Sequence, residues 1–512
     1  MRMQMTEQAT PASGALIARE QTWEAIKWQH VKSNVRRLQM RIAKAYRENK
    51  LGKVKALQWL LTHSKSAKQM AVKRVTENRG AKTPGVDNIV WRTAKQKMEA
   101  VSNLNRHSYQ PQPLRRIYIP KKQTGKTRPL SIPTMACRAQ QALHLLALEP
   151  IAETIADRNA YGFRPYRSTA DAIEQCVLIL GRKGSSRFIL EGDIKACFDT
   201  ISHSWLLNNV PMDKTMLAKW LTAGFIENSS LFPTDKGTPQ GGLISPCLLT
   251  VTLSGLEAAI KAATDNLIRD KIHLCTYADD FIITGTSLEI LREKVRPIVD
   301  DFMAERGLVL SSTKTRITPI EDGFDFLGVN IRKYNGKLLC KPAKANLSAF
   351  LQDIRDTIKS NLAAKTENLI HLLNPKIRGW ANYHCHNSAK KAFSYVSKRI
   401  FELLWRWAKH RHPKKGAAWI KRKYFRSKGH RHWVFSATIK DAQGKKTHLD
   451  LVEISKTPIR RHVKIRAEAT PYDPAYKEYF AQRQARRKEK RLFLPCKSSW
   501  SPWWDIKSPN DE

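Results

Sequence analysis

Two neighbouring aspartates interrupt an apolar run, Leu274-Cys275-Thr276-Tyr277-Ala278-Asp279-Asp280-Phe281-Ile282-Ile283, and no other feature of the chain constrains its fold as tightly. The run predicts two short strands between Ile272 and Thr284 that turn at Tyr277-Ala278-Asp279-Asp280, because β-branched and aromatic residues suit a buried, pleated surface. Carboxylates carried to the tip of such a hairpin repel each other and are costly to desolvate, so they require cations or a hydrogen-bond network. An exposed turn would also accept an Asp pair, but apolar flanks on both sides count against one.

A second acid obeys the same pattern. Phe188-Ile189-Leu190 leads into Asp193, which is followed by Ile194, as at the end of a buried strand. Alone, Asp193 would serve equally as a helix cap. If Asp193 and Asp279 meet, they form an oxygen site suited to two Mg²⁺ ions, which would clamp the attacking and leaving oxygens of a phosphoryl transfer.

The surrounding chain mixes strands and helices. Trp23, Ile26, Val31, Val35, Leu38 and Ile42, then Val54, Leu57, Leu60 and Leu61, recur at three and four and predict amphipathic helices broken near Asn49 to Gly52. Arg115 to Pro133 predicts a hairpin with a basic tip at Lys121 to Lys126. Ser245-Pro246 predicts the start of a helix reaching about Ala263. Beyond Lys344 the pattern is helical again. Alternating strands and helices in the middle third imply an α+β or α/β core.

Charge adds a partner class. The chain of 512 residues has 90 Lys and Arg against 45 Asp and Glu, a net charge of +45. Between His371 and Trp500 there are 33 basic and 8 acidic residues, so about a quarter of the chain carries over half the excess. Such self-repulsion points to a polyanion, nucleic acid first. Trp380, Tyr383, Trp405, Trp407, Trp419, Tyr424, Phe425 and Trp433 are interspersed among these cations, a mixture able to stack on bases and track phosphates, although a helical core would also use the rings. The eight cysteines show no C-x-x-C pair, which excludes a disulfide framework or zinc ribbon and fits a reducing compartment. His384-Cys385-His386 and His430-Arg431-His432 are read as surface histidines rather than metal ligands. No leader and no membrane span is expected, and the location expected is cytoplasmic.

Taken together, Arg128-Pro129-Leu130-Ser131-Ile132-Pro133, Tyr161-Gly162-Phe163-Arg164-Pro165, Asp193-x4-Phe198, Thr238-Pro239-Gln240-Gly241-Gly242-Leu243-Ile244-Ser245-Pro246, Tyr277-Ala278-Asp279-Asp280, Ser312-Thr313-Lys314-Thr315 and Phe326-Leu327-Gly328 occur in an order that resembles the group II intron-encoded reverse transcriptase/maturase family. Thr83-Pro84-Gly85-Val86-Asp87 and Ile377-Arg378-Gly379-Trp380-Ala381-Asn382-Tyr383 extend the resemblance from about Trp23 to Leu494.

The resemblance implies a right-hand polymerase with a split βαβ palm. It divides into a disordered start (1–20), a helical N-terminal extension (21–105), fingers and palm (106–335), a thumb or maturase domain (336–430), a basic helical DNA-binding segment (431–494) and a tail (495–512). Asp193, Asp279 and Asp280 are implied as the metal triad, with the Ile194 carbonyl as a further ligand and Lys314 as the proton donor to pyrophosphate. Lys121, Arg128, Phe198, Gln240 and Gly241 are implied around the dNTP, Phe198 as a gate against the 2′-hydroxyl unless it is a core ring. Arg164, Arg167, Phe326, Leu327, Gly328, Arg378, Trp380 and Tyr383 are implied to contact template, primer or intron RNA. The implied partners are intron RNA, an RNA template with DNA primer, target DNA and dNTPs, with a homodimer left open and no membrane. Paired C-x-x-C elements do not follow Leu494, so no H-N-H endonuclease is expected, and mobility would take its primer from a nascent strand. A splicing-only maturase and a domesticated host-defence reverse transcriptase are the rival expectations.

Overall fold

The computed structural model describes residues 22–120, 127–264, 267–440 and 443–491. The expected disordered start, the tail and Lys121 lie outside the described residues.

Helices α1 (Trp28–Arg47), α2 (Leu51–His63), α3 (Lys65–Thr76) and α4 (Ala94–Asn103) form the N-terminal extension. Val31, Val35, Gln39 and Ile42 make the buried stripe of α1, as their spacing requires. Ser64 caps α3, and Thr93 with Gln96 closes a capping box on α4. The first three gather around α5 (Met135–Ile155), α4 packs on α3, and α5 itself is buried on nearly every side from Cys137 to Glu153. A helix buried all round must find partners for its polar side chains inside, as Arg138 does in the carbonyls of Pro133, Gly80 and Thr83.

The fingers hairpin pairs β1 (Leu114–Pro120) with β2 (Thr127–Ile132), setting Ile119 opposite Arg128. After α6 (Thr169–Leu180) come β3 (Phe188–Asp193) and the short helices α7 (Cys197–Thr200), α8 (His203–Asn209) and α9 (Lys214–Leu221). The hairpin β4 (Phe225–Glu227) and β5 (Ser230–Phe232) joins the fingers sheet in the order β2-β1-β4-β5. The expected single helix from Ser245 is instead two, α10 (Ser245–Leu253) and α11 (Leu256–Ala262). Gly255 sits between them at φ 94°, and the Asp157 carboxylate accepts the Gly255 and Glu257 N–H groups at 3.0 and 3.1 Å. A cap supplied from a hundred residues away has no local sequence signature.

The palm sheet follows α12 (Leu267–Asp270): β6 (His273–Tyr277), β7 (Asp280–Gly285) and, after α13 (Arg296–Glu305), β8 (Arg316–Pro319), in the order β6-β7-β3-β8. Leu190, Phe281, Ile283 and Leu274 pack on the helices of one face, Ile189, Ile282 and Cys275 on the other.

A second sheet, β9 (Phe324–Phe326), β10 (Val329–Tyr334) and β11 (Lys337–Pro342), leads to the thumb helices α14 (Lys344–Lys359), α15 (Thr366–His384), α16 (Lys390–Arg411) and α17 (Ala417–Tyr424). The basic region beyond is not purely helical as expected. It begins with the antiparallel sheet β12 (Phe425–Lys428), β13 (Arg431–Lys440) and β14 (Lys446–Asp450) and ends in α18 (Lys477–Arg491). The expected boundaries at 335/336 and 430/431 therefore cut the hairpins β10–β11 and β12–β13. Cation blocks obscured a strand pattern in Trp433-Val434-Phe435-Ser436-Ala437-Thr438-Ile439 that is rich in aromatic and β-branched residues.

The C-terminal stretch folds back over the palm. Asp171, fully buried on α6, accepts the Ile465 N–H at 2.8 Å, Arg483 Nη2 at 2.8 Å, His462 Nε2 at 2.9 Å and Ser168 Oγ at 2.6 Å. Further on, the Tyr472 hydroxyl donates to the buried Glu149 of α5, and Arg47 of α1 pairs with Asp473.

Candidate active site

Register brings the acids together. Asp193, the last residue of β3, stands directly opposite Asp280, the first of β7, and Asp279 occupies the two-residue turn between β6 and β7. Ala278 holds the turn at φ 58°, a left-handed conformation that costs an alanine on the order of 1–2 kcal/mol. Two glycines make the arrangement fit. A Cβ on Gly162 would lie 2.1 Å from the Ala278 nitrogen, and one on Gly192 2.1 Å from the Phe281 ring.

Burial, then the neighbouring Asp279 and Asp193, push the Asp280 carboxyl up to about 6, the behaviour of like charges sharing a site. Lys314 answers part of that charge: its ammonium reaches both Asp193 oxygens at 2.9 and 3.0 Å while remaining 66% exposed. Ile194 bridges Leu310 through bonds made by Asp193 O and Lys195 N. In such a pair the residue's own carbonyl points away from the partner, here toward the Asp280 side.

Around Phe198 the Thr238–Gly241 loop joins fingers to palm. Thr238 N donates to Phe198 O at 2.6 Å, Gln240 Nε2 to Asp199 Oδ2 at 2.8 Å, and Ser131 N to Gln240 O at 2.7 Å. Burial raises the Asp199 carboxyl, against which Gln240, Arg116 and Arg128 act. Gly241 is small for a reason other than nucleotide approach: at φ 119° its Cβ would lie 2.5 Å from Ser131 O. Phe198 is half-buried, its ring edge-on to Phe163 at 6.2 Å, so it serves the core while bordering the site.

Three residues expected at nucleic acid are buried on protein partners in the free chain. Arg164 is 3% exposed, forks onto Glu153 at 2.7 and 3.1 Å and donates to the Asp157 and Ala160 carbonyls. Arg167 is buried and holds the carbonyls of Ala467 and Ala469. Trp380 is a thumb core ring, stacked on Phe350 at 4.8 Å, with its Nε1 donating to Asn346 Oδ1 at 2.8 Å. His384, expected at the surface, is fully buried, and burial pushes it down to about 4. A Tyr-Gly-Phe-Arg turn or an Arg-Gly-Trp stretch of helix does not say which of its side chains the core will claim.

Phe326 is buried, while Leu327 and Gly328 form a turn with φ 51° and 73°. The Tyr383 hydroxyl donates to Leu327 O at 2.6 Å, which fastens the turn to α15. Asn346, overlooked in the sequence, joins this turn to the thumb: its side chain packs under Gly328 and accepts from Trp380 and His384. Arg378 is half-buried on the same helix.

Carboxylate and carbonyl oxygens suit a hard divalent cation, and the mutual repulsion raising Asp280 is what such an ion relieves. The acids are not already gathered as a cage: among the described residues no group of three or more His, Cys, Asp and Glu could hold a metal ion. Among those residues, also, no helix is long and apolar enough to cross a membrane.

Residues 119–331 match the model for reverse transcriptase (RNA-dependent DNA polymerase), 23–104 that for the N-terminal domain of reverse transcriptase, and 347–425 the group II intron maturase-specific domain. Protein YkfC of Escherichia coli (strain K12) is 32% identical over 299 residues, which cover 50% of this chain and 77% of that one. The group II intron-encoded protein LtrA of Lactococcus lactis subsp. cremoris is 36% identical over 196 residues, 37% of this chain and 32% of LtrA. Among solved structures, a telomerase from Candida albicans in complex with a fragment of telomeric RNA aligns at TM-score 0.36 and 13% identity, covering 58% of this chain and 59% of that one. With these domains arranged along the chain around the Asp193–Asp280 pair, the chain belongs to the group II intron type of the reverse transcriptase family, an RNA-directed DNA polymerase with a maturase-specific domain and nucleic acid as its partner.

Proposed function

We propose that Asp193, Asp279 and Asp280 are the catalytic carboxylates of this polymerase, and that the chain also binds group II intron RNA, assisting its splicing and supporting retrohoming. The observation that carries this reading is the β3–β7 register, which sets Asp193 against Asp280 with Asp279 in the adjoining turn. Two Mg²⁺ ions held by these acids and the Ile194 carbonyl would supply the positive charge that in-line phosphoryl transfer needs. Lys314, already at the Asp193 oxygens, is the candidate to donate a proton to departing pyrophosphate.

On the fingers side, Arg128 with Lys121 is assigned to the dNTP triphosphate, for which a guanidinium fork and an ammonium are apt. Gln240 and Gly241 brace the floor of that site, and the Phe198 ring is assigned to discrimination against ribose. The Leu327-Gly328 turn, pinned by Tyr383 and Asn346, supports the primer, and Arg378 contacts RNA. The exposed cations of the C-terminal stretch, Lys440, Lys446, Arg461, Lys477 and Arg486, are assigned to target DNA, and the work is assigned to the cytoplasm near the nucleoid. Primer extension on an RNA template with Mg²⁺ tests the reading. Wild type should extend with dNTPs and not with rNTPs, and Asp279→Ala should not extend. A folded, RNA-binding wild type that never extends would leave splicing alone.

A further inference from the structure

Between α16 and the β12–β14 sheet lies an open cleft of about 780 Å³. Its walls are Ile400, Phe401 and Leu404 on one side and Phe425, Val434 and Leu451 on the other. Trp433 stands at the mouth, 44% exposed, although so large a ring would be expected to bury itself. Its orientation is fixed all the same. Phe401, Trp405 and Phe425 hold it at centroid distances of 5.8, 5.7 and 5.7 Å and interplanar angles of 86°, 76° and 66°. Lys421 Nζ lies 4.7 Å from the Trp433 centroid, and Lys398 lines the opposite wall. Among the described residues the one carboxylate in the lining, Glu453, is taken up by Arg431 at 2.8 Å and Lys456 at 3.2 Å. The cleft thus offers fixed rings, an apolar floor and cations, with the Glu453 carboxylate already neutralised.

We propose that this cleft captures a single unpaired RNA nucleobase. A base is a flat ring with a phosphate on either side, which matches a fixed indole flanked by lysines. An apolar peptide would fill the floor but leave Lys398 and Lys421 without anions. Intact duplex DNA keeps its bases stacked, whereas structured RNA presents bulged and looped bases. The choice of RNA rests on the maturase-specific match over 347–425, which includes the α16 wall; the cleft and its chemistry do not.

The test uses the full chain and two RNA hairpins of equal length, one fully paired and one with a single bulged 4-thiouridine. The bulged hairpin should bind about tenfold tighter, and light should cross-link it within 397–404 or 425–435. Trp433→Ala should erase the difference while leaving the paired-hairpin affinity, its salt dependence and primer extension unchanged. Trp433→Phe should restore most of the preference. Equal binding of the two hairpins, a cross-link elsewhere, equal weakening of both by Trp433→Ala, or equal capture of the same bulge in a DNA hairpin would each overturn the proposal. Failure of wild type to bind either RNA would overturn the RNA-binding reading as well.

Discussion

At the residue scale the site is a balance of unlike charges. Asp280 is held against two other carboxylates, which among the described residues Lys314 offsets directly. Asp280→Asn should therefore stabilise the metal-free chain by about 1–2 kcal/mol while lowering extension, a trade that urea melts and primer extension on one preparation would reveal. Mg²⁺ should raise the melting temperature of wild type, since a ligand of the native state stabilises it, and Asp193→Ala or Asp279→Ala should shrink that rise.

A separate residue-scale effect concerns two buried histidines, His144 and His384, both pushed down to about 4 by burial. His384 is satisfied only as the neutral ring: Nε2–H donates to Asn346 Oδ1 at 3.1 Å and Nδ1 accepts from Asn387 at 3.2 Å. The unfolded chain takes up protons near pH 6.5, the folded chain only near 4, so stability is complete above pH 6.5 and is lost as pH falls through that window. The loss should be on the order of 1–3 kcal/mol per histidine, and His384→Gln should flatten the slope between urea midpoints at pH 7 and pH 5.

At the scale of elements, strands and helices were legible where one face alternates or recurs regularly. The carboxylate hairpin, the fingers hairpin and α1 with α2 fall where apolar periodicity puts them. What periodicity did not carry were features fixed by distant atoms: the break before α11 capped by Asp157, and the β12–β14 sheet within a cationic stretch. The glycines beneath the active turn are a third case. Gly162→Ala drives a methyl into the Ala278 backbone, which cannot move without moving Asp279. We expect a destabilisation of about 1–3 kcal/mol and a fall in extension of about a hundredfold or more, larger than the stability loss explains. Guanidinium melts and single-turnover extension would separate the two effects.

Across the whole molecule, the basic C-terminal stretch joins three bodies that its sequence treats as separate. Asp171 anchors 462–483 to the palm, Arg167 holds 467–469, and Tyr472 and Asp473 reach α5 and α1. Burial opposes the Asp171 charge, but His462 and Arg483 hold its carboxyl well below the usual range. Asp171→Asn leaves these partners without their anion, and losing one side of a buried pair costs about 3–5 kcal/mol. Trypsin should then cut within 456–486 at lower dose than in wild type, read by mass spectrometry, while 127–264 stays protected. With a net charge of +45, RNA affinity should also fall steeply with salt, which filter binding from 50 to 200 mM would show.

The sequence by itself determined the chemistry of the site and the order of its parts. Acids at strand ends, an Asp pair in an apolar hairpin and a large cationic excess are local or additive properties, readable without coordinates. Tertiary structure alone decided which polar residues reach the cleft and which are buried. Arg164, Arg167, Trp380 and His384 have the residue types of a nucleic-acid surface, yet a Glu153 carboxylate, the Ala467 and Ala469 carbonyls and an Asn346 amide claim them for the interior. A side chain's role depends on whether its partner is solvent or a buried group brought from far along the chain, and only folding brings that partner into place.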